Sequence, residues 1–284
     1  MFADAKRSGV GVCAGKCVVW MRERLIKGGN MVSYEKFIAE IYDSSPFFGQ
    51  GKARELEKFN APYFRYLKDR SKRILEFGSG TGMLTVPLAR AGYQLDSVDI
   101  SPFMHDVLKS KLEQQSDAVR QCVKQIVADA TSYRGAAPYD TIVMPEGILI
   151  ALPSDALQMA LLRSCHRNLA PGGLILIDCF QPYYQVISGE KKTDYSRFRT
   201  PDGRTYLMQI HFTNDSYTQI QNWHVIYTEI VDGNELPGIV VNLDFRYVFC
   251  SELKLMLEIA GFRVVELDVE FAERRGFFLA AEKV

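Results

Sequence analysis

"RILEFGSGTGMLTVPLARAG", residues Arg73 to Gly92, joins a short apolar run to a helical segment through a loop with glycines at Gly78, Gly80 and Gly82. Glycine-rich turns at such junctions bring backbone close to a ligand, because the missing Cβ lets the chain approach and tolerates positive φ. The chain downstream keeps the same rhythm. "QLDSVDIS" reads as the next strand, "PFMHDVLKSKLEQQ" as a helix with Pro102 in its first turn, and "VKQIVADA" as a third strand. "YDTIVMPEGILIAL" supplies a strand and a loop, "SDALQMALLRSCHRNLAPGG" a helix stopped by Pro171 and Gly172, and "LILIDCF" a fifth strand. Helices of this length between buried strands predict a parallel sheet covered on both faces, a doubly wound α/β fold.

Upstream, Ser33 to Leu67 is helical in pattern and rich in aromatics, and the stretch from Asp43 to Gly51, with Pro46, Gly49 and Gly51 as helix breakers, divides it into two helices. After Pro182 the texture changes. "TYLMQIHFTND", "YTQIQNWHVIYTEIVDGN" and "GIVVNLDFRYVF" are strand-like runs with turn residues at Asn214-Asp215 and Asp232-Gly233-Asn234, which predicts an inserted antiparallel sheet of about three strands. A helix, "CSELKLMLEIAG", and two strands, "FRVVELDVEF" and "GFFLAAEKV", then return to the first fold. The expected organisation is an N-terminal extension over 1–30, a helical lid over 31–70, an α/β core over 71–182, a substrate-roofing sheet over 183–248 and completion of the core over 249–284.

Composition narrows the partners. Of 284 residues, 47% are hydrophobic, and 34 Lys plus Arg balance 34 Asp plus Glu with no long single-sign run. No basic face is advertised for a nucleic acid or an anionic membrane, so a small-molecule substrate is favoured. The six cysteines lie mostly alone in apolar segments, as reduced thiols of a cytoplasmic protein do. Cys13 and Cys17 have no second pair or nearby His, so no metal site is expected. Lys16 interrupts the apolar run after Lys6 and Arg7, which argues against a signal peptide, and no run is long enough for a membrane span. In a bacterium, codons for Lys27 to Asn30 accommodate a ribosome-binding site. Met31 is therefore expected as the natural start, and the intact mass of natively expressed protein checks it.

The loop departs from a dinucleotide fingerprint, whose third glycine position is Met83 here, and no Lys-Ser/Thr pair follows for a nucleoside triphosphate. Its order, Glu76-Phe77-Gly78-Ser79-Gly80-Thr81-Gly82, resembles the first motif of the class I S-adenosylmethionine-dependent methyltransferases. "SVDIS", "VADA" and "LAPGGLILID" are similar to three further family elements in the same order. "DISPFM", the "YD" at Tyr42 and the Arg-aromatic run before "CSELKLMLEIAG" resemble the small-molecule branch, which includes natural-product, amino-sugar and glycine-type N-methyltransferases. The resemblance covers nearly everything from Tyr34 onward. It implies a Rossmann-like doubly wound sheet with an inserted antiparallel sheet and an N-terminal helical lid. It also implies S-adenosyl-L-methionine as cofactor, with S-adenosyl-L-homocysteine as product.

Residue by residue, the resemblance implies that Glu76 and the amides around Gly78, Gly80 and Gly82 hold the amino-acid end of the cofactor. Asp99, with Ile100 beside it, is implied at the ribose, Met104 against the adenine, Asp129 at the adenine amino group with Ala130 contributing backbone, and Tyr42 in the lid. Tyr34, Phe47 and Phe48 are lid candidates as well. For the chemistry, Glu146 after the fourth strand is the first candidate base, and a helix N-terminal charge is its alternative. His224 and His211 in the inserted sheet are further candidates, although a lone strand His is more often packed or at the surface. Asp178 ends the fifth strand and either touches substrate or caps the turn. Arg246 and Arg197 are left unassigned.

The expected activity is methyl transfer to an amine, or a hydroxyl, of a small molecule in bacterial secondary metabolism. The rivals are an O-methyltransferase for a phenol or carboxylate and a non-catalytic module that only binds the cofactor. A homodimer is compatible with the sequence, which leaves the acceptor open.

Overall fold

The computed structural model describes residues 34–46, 56–67 and 73–284. Residues 1–33, with Cys13, Cys17 and the expected start Met31, and the lid candidates Phe47 and Phe48 lie outside the described residues.

Two helices come first, α1 (Tyr34–Ile41) and α2 (Leu56–Leu67). The alternating part then runs β1 (Arg73–Phe77), α3 (Thr85–Arg90), β2 (Gln94–Asp99), α4 (Pro102–Glu113), α5 (Asp117–Gln121), β3 (Val123–Val127), β4 (Tyr139–Met144), α6 (Asp155–Asn168) and β5 (Leu169–Phe180). After a short α7 (Tyr184–Ile187) come β6 (Lys192–Arg199), β7 (Thr205–Asp215), β8 (Ile220–Val231), β9 (Asn234–Glu235) and β10 (Ile239–Arg246). The chain closes with α8 (Cys250–Ile259), β11 (Phe262–Asp268) and β12 (Gly276–Lys283).

Seven strands form one sheet in the order β11-β12-β5-β4-β1-β2-β3. Only β12 runs against its neighbours, so the expected doubly wound α/β fold is the observed one. Helices start where side chains cap them: Ser101, Ser116 and Ser154 each accept an N–H from the first turn of the helix that follows. Alternation along β1 feeds two cores. Leu75 and Phe77 face Ile142, Met144 and Leu161, while Ile74 faces Tyr63, Leu88 and Phe278. The chain turns to opposite sides of the sheet after β1 and β4, which opens a crevice at their carboxyl ends, the place where ligands sit in such folds.

The second sheet has five strands, β10-β8-β7-β6 with β9 paired to β8. About three were expected. The additional full-length strand is β6, "KTDYSRFR", whose charged residues fall at exposed and partly buried positions alike and hide its period of two. Asn214 and Asp215 end β7 rather than forming its turn, whereas Asp232 and Gly233 turn with positive φ as Asp-Gly hairpins do. Tyr206, Met208, Ile210, Phe212, Val225, Tyr227, Val241 and Leu243 share the inner face and pack on Phe37, Ile38 and Ile41 of α1. Phe37 meets Tyr206 and Tyr227 edge-on, at 5.8 and 5.4 Å. The insert and the first helix thus share one apolar core over the crevice.

Candidate active site

The crevice holds a cavity of about 890 Å³. One wall is the glycine loop with Glu76, Asp99, Ile100 and Met104, and the other is aromatic, with Phe180, Tyr183, Tyr184, Trp223, Phe245 and Tyr247. Glu146 and Tyr42 lie where the walls meet.

The three loop glycines have positive φ for different ends. A Cβ on Gly82 would lie 2.4 Å from Leu108, and one on Gly78 would lie 2.8 Å from Ile148, so these two permit close packing. At Gly80, φ is +52° and a Cβ would meet nothing nearer than 4.0 Å, so that residue keeps the backbone open to the cavity. The expectation that loop amides bind an anion needs correction for several of them. Gly78 and Ser79 donate their N–H groups to Val98 O, Gly82 to Ser79 O, and Gly80 to Asp99 Oδ2 at 2.8 Å.

Glu76 is fully buried. Thr85 and Ser97 hydroxyls donate to its Oε2 at 2.6 and 3.2 Å, while Oε1 has no hydrogen-bond partner among the described residues. Burial pushes its carboxyl up to about 8, against those two hydrogen bonds. A buried, unpartnered oxygen in a cavity wall calls for a hydrogen-bond donor. Burial also raises the Asp99 carboxyl, opposed by N–H donors from Ser101 and Gly80. The Ser101 bond, to Oδ1, and the Gly80 bond, to Oδ2, leave each oxygen a further lone pair.

Glu146 follows β4 in the left-handed region, with φ of +59°, and Gly147 continues there at +70°. A non-glycine residue in that conformation costs about 1–2 kcal/mol. Asp178, 2% exposed, accepts the Glu146 N–H at 2.7 Å and the Tyr63 hydroxyl at 2.5 Å on the same Oδ1. The hydrogen bond from the Glu146 N–H to Asp178 acts against that conformational cost. Tyr42 donates its hydroxyl to Glu146 Oε2 at 3.0 Å. Burial and the Glu146 charge push that hydroxyl well above the ordinary tyrosine range, so it remains a donor. Asp43, next to Tyr42, pairs with Lys111 at 2.6 Å and accepts the Thr81 hydroxyl at 2.6 Å, which ties the end of α1 to the glycine loop and α4.

Eight of the twelve residues picked from the sequence line the cavity: Tyr42, Glu76, Gly78, Gly80, Asp99, Ile100, Met104 and Glu146. Gly82, Asp129, Ala130 and His224 do not line it. Asp129 Oδ1 turns back to accept the Thr131 N–H and hydroxyl, at 2.8 and 2.7 Å, a local turn at the end of an edge strand. His224 alternates with the inner-face residues Trp223 and Val225, so it points to the other side of the sheet, where it meets Asn242 at 2.7 Å and lies 6.2 Å from His211. Its candidacy as a base is therefore corrected by strand parity. Arg246 is also accounted for, with Gln158, Gln219 and Glu252 as partners. The aromatic wall escaped the sequence reading apart from its general location. So did Tyr63, whose helix gave no sign of what it would touch.

Residues 74–173 match the model of a methyltransferase domain. The cypemycin N-terminal methyltransferase of a Streptomyces species is 26% identical over 203 residues, 71% of this chain and 76% of that protein. The chain carries a methyltransferase domain. S-adenosylmethionine is the cofactor of this methyltransferase. Among solved structures, two share its fold over most of the chain. The CcbJ methyltransferase from Streptomyces caelestis has a TM-score of 0.67 at 22% identity, with 87% of this chain and 96% of that one covered. CalS10, an amino pentose methyltransferase from Micromonospora echinaspora with S-adenosylmethionine bound, has a TM-score of 0.65 at 15% identity, covering 91% and 100%. Among the described residues of the methyltransferase, no helix is long and apolar enough to cross a membrane.

Proposed function

We propose that this methyltransferase methylates an amine of a small, largely apolar molecule in bacterial natural-product biosynthesis. The observation that carries the reading is the Glu146 carboxylate, held by Tyr42 at the junction of the glycine-loop wall and an aromatic wall. The aromatic wall suits a largely apolar acceptor, and the carboxylates that line the cavity beside it, Glu146 and Asp244, suit a cationic one. The names of the cypemycin enzyme and of CalS10 speak of an N-terminus and an amino sugar, which supports nitrogen as the acceptor class.

When bound, S-adenosylmethionine supplies a methyl group on a sulfonium, already activated for attack by a neutral nucleophile. The residues present fit it. Glu76 Oε1 would take its ammonium, Asp99 the ribose hydroxyls with its remaining lone pairs, and Ile100 and Met104 would flank the adenine. The open face of Gly80 leaves room for the cofactor to approach the backbone. An acceptor amine arrives protonated and must lose a proton to expose its lone pair, and Glu146 is placed to take it. The cavity walls hold the nitrogen in line and keep water out, and that positioning contributes most of the acceleration.

The four cysteines among the described residues are free, as a reducing cytoplasm keeps them, and the zero formal net charge disfavours a nucleic-acid substrate. The test is incubation with S-adenosylmethionine and a panel of aromatic primary amines and matching phenols, read by mass spectrometry. Methylated amines whose yield collapses in Glu146→Gln are the expected result. Methylation of phenols alone would make the enzyme an O-methyltransferase.

A further inference from the structure

Glu146 is held from behind as well as from the front. Its φ of +59° is one that glutamate rarely adopts, and the following Gly147 prolongs the left-handed turn. That turn points the carboxylate toward Tyr42 and the cavity. Behind it, out of the cavity wall, Asp178 near the end of β5 accepts the Glu146 N–H at 2.7 Å and the Tyr63 hydroxyl at 2.5 Å. Tyr63 is 1% exposed, arrives from α2 and stands 115 residues away in sequence. Its ring is fixed edge-on against Phe278 at 5.1 Å, and its oxygen also lies 3.2 Å from the Met144 carbonyl at the end of β4.

We propose that Asp178 and Tyr63 form a buried anchor that holds Glu146 in its left-handed conformation and thereby aims its carboxylate at the acceptor. Both are positioning residues, and their role in turnover rests on reading Glu146 as the base. A simple turn cap needs only the Glu146 N–H on Asp178. The Tyr63 hydroxyl on the same oxygen fixes where that oxygen sits, and ties it to a helix outside the sheet. A carboxylate that must meet one nitrogen in line with a bound methyl group tolerates little displacement, since about 1 Å of misplacement costs about a hundred-fold in rate.

The test compares Tyr63→Phe, Asp178→Asn and Glu146→Gln with the parent protein. Crystal structures with S-adenosylhomocysteine read the anchor directly, with no acceptor needed. The expected result is that residue 146 leaves the left-handed region, or its carboxylate leaves Tyr42, in Asp178→Asn, with a smaller displacement in Tyr63→Phe. An unchanged residue 146 in both variants overturns the anchor. If Asp178→Asn does not fold, the conservative Tyr63→Phe decides alone.

Turnover of 2-phenylethylamine supplies the second readout. In Tyr63→Phe, kcat is expected to fall about a hundred-fold while KM and S-adenosylhomocysteine affinity stay within about two-fold, and Tyr63→Phe is expected to cause no further fall when made in the Glu146→Gln background. Losses that add in the double variant overturn the positioning role. A Glu146→Gln enzyme that keeps its kcat defeats the base assignment and leaves the anchor to the crystal structures. Those structures decide equally well if this amine is not a substrate.

Discussion

The two walls of the cavity are built in opposite ways. The glycine-loop wall takes Glu76, Gly78, Gly80, Asp99 and Met104 from one short stretch, β1 to the start of α4, where a single strand-turn-helix unit and its neighbour set every position. The opposite wall gathers Phe180 from the end of β5, Tyr183 from the loop after it, and Trp223 and Phe245 from two strands of the second sheet, with Tyr42, just after α1, and Glu146, just after β4, at the join. Local geometry suffices for the first wall, while the second exists only because the insert folds over the crevice and shares a core with α1. A shared reaction can thus sit on a locally coded wall while the acceptor is chosen by a wall that is free to vary.

Changes on the first wall should therefore move cofactor affinity, and changes on the second should move acceptor KM. The sharpest case is Gly80→Val, which fills the open face at a positive φ. S-adenosylhomocysteine affinity measured by calorimetry is expected to fall at least about a hundred-fold, about 2.7 kcal/mol, with the far-ultraviolet circular dichroism of a folded protein. On the other wall, Trp223→Ala is expected to raise acceptor KM about ten-fold and leave that affinity alone. A fall in cofactor affinity for Trp223→Ala would break the division of labour.

A pH titration refines the first wall. Glu76 has its carboxyl raised from 4.5 to about 8 in the unliganded protein. A cationic ligand group favours the charged form, so binding expels a proton. Affinity should rise with pH by at most about ten-fold per unit and level off above about 8, with a buffer-dependent heat that Glu76→Gln abolishes. The sign for folding is opposite. A carboxyl raised in the folded state contributes stability that is full below 4.5 and lost as pH rises through about 8, so the melting temperature without ligand should drop less over that range in Glu76→Gln.

Two smaller effects probe the join. Asp43→Asn removes a half-exposed ion pair between α1 and α4, and a loss of about three-fold or less in S-adenosylhomocysteine affinity is expected. His224→Ala should leave kcat within about two-fold, because strand parity turns that ring away from the cavity. A large kcat loss there would restore the imidazole as a catalytic group.

The first wall was legible because its signals are local: a glycine loop after an apolar strand, a carboxylate ending each of the next strands, and Pro102 opening a helix. Even there, Asp129 reads like Asp99 in sequence and yet folds back on Thr131, since two strand-end carboxylates differ only in what surrounds them. On the second wall, the general location of the insert was readable, but the sequence named His224 and passed over its neighbour Trp223, and the pairing of β8 assigns the two to opposite faces. β6 was hidden by its charges.

Periodicity, turn chemistry and the glycine spacing, all short-range properties of the chain, determined the α/β fold and the place of the loop, and the order of its motifs carried the family resemblance that implied the cofactor class. Tertiary structure alone decided that Tyr63 meets Asp178, that Glu146 stands in a left-handed turn facing Tyr42, and which ring of each strand enters the cavity. Those outcomes depend on burial and on contacts between residues a hundred or more positions apart, and the free energy of such contacts is set by neighbours that no local pattern names.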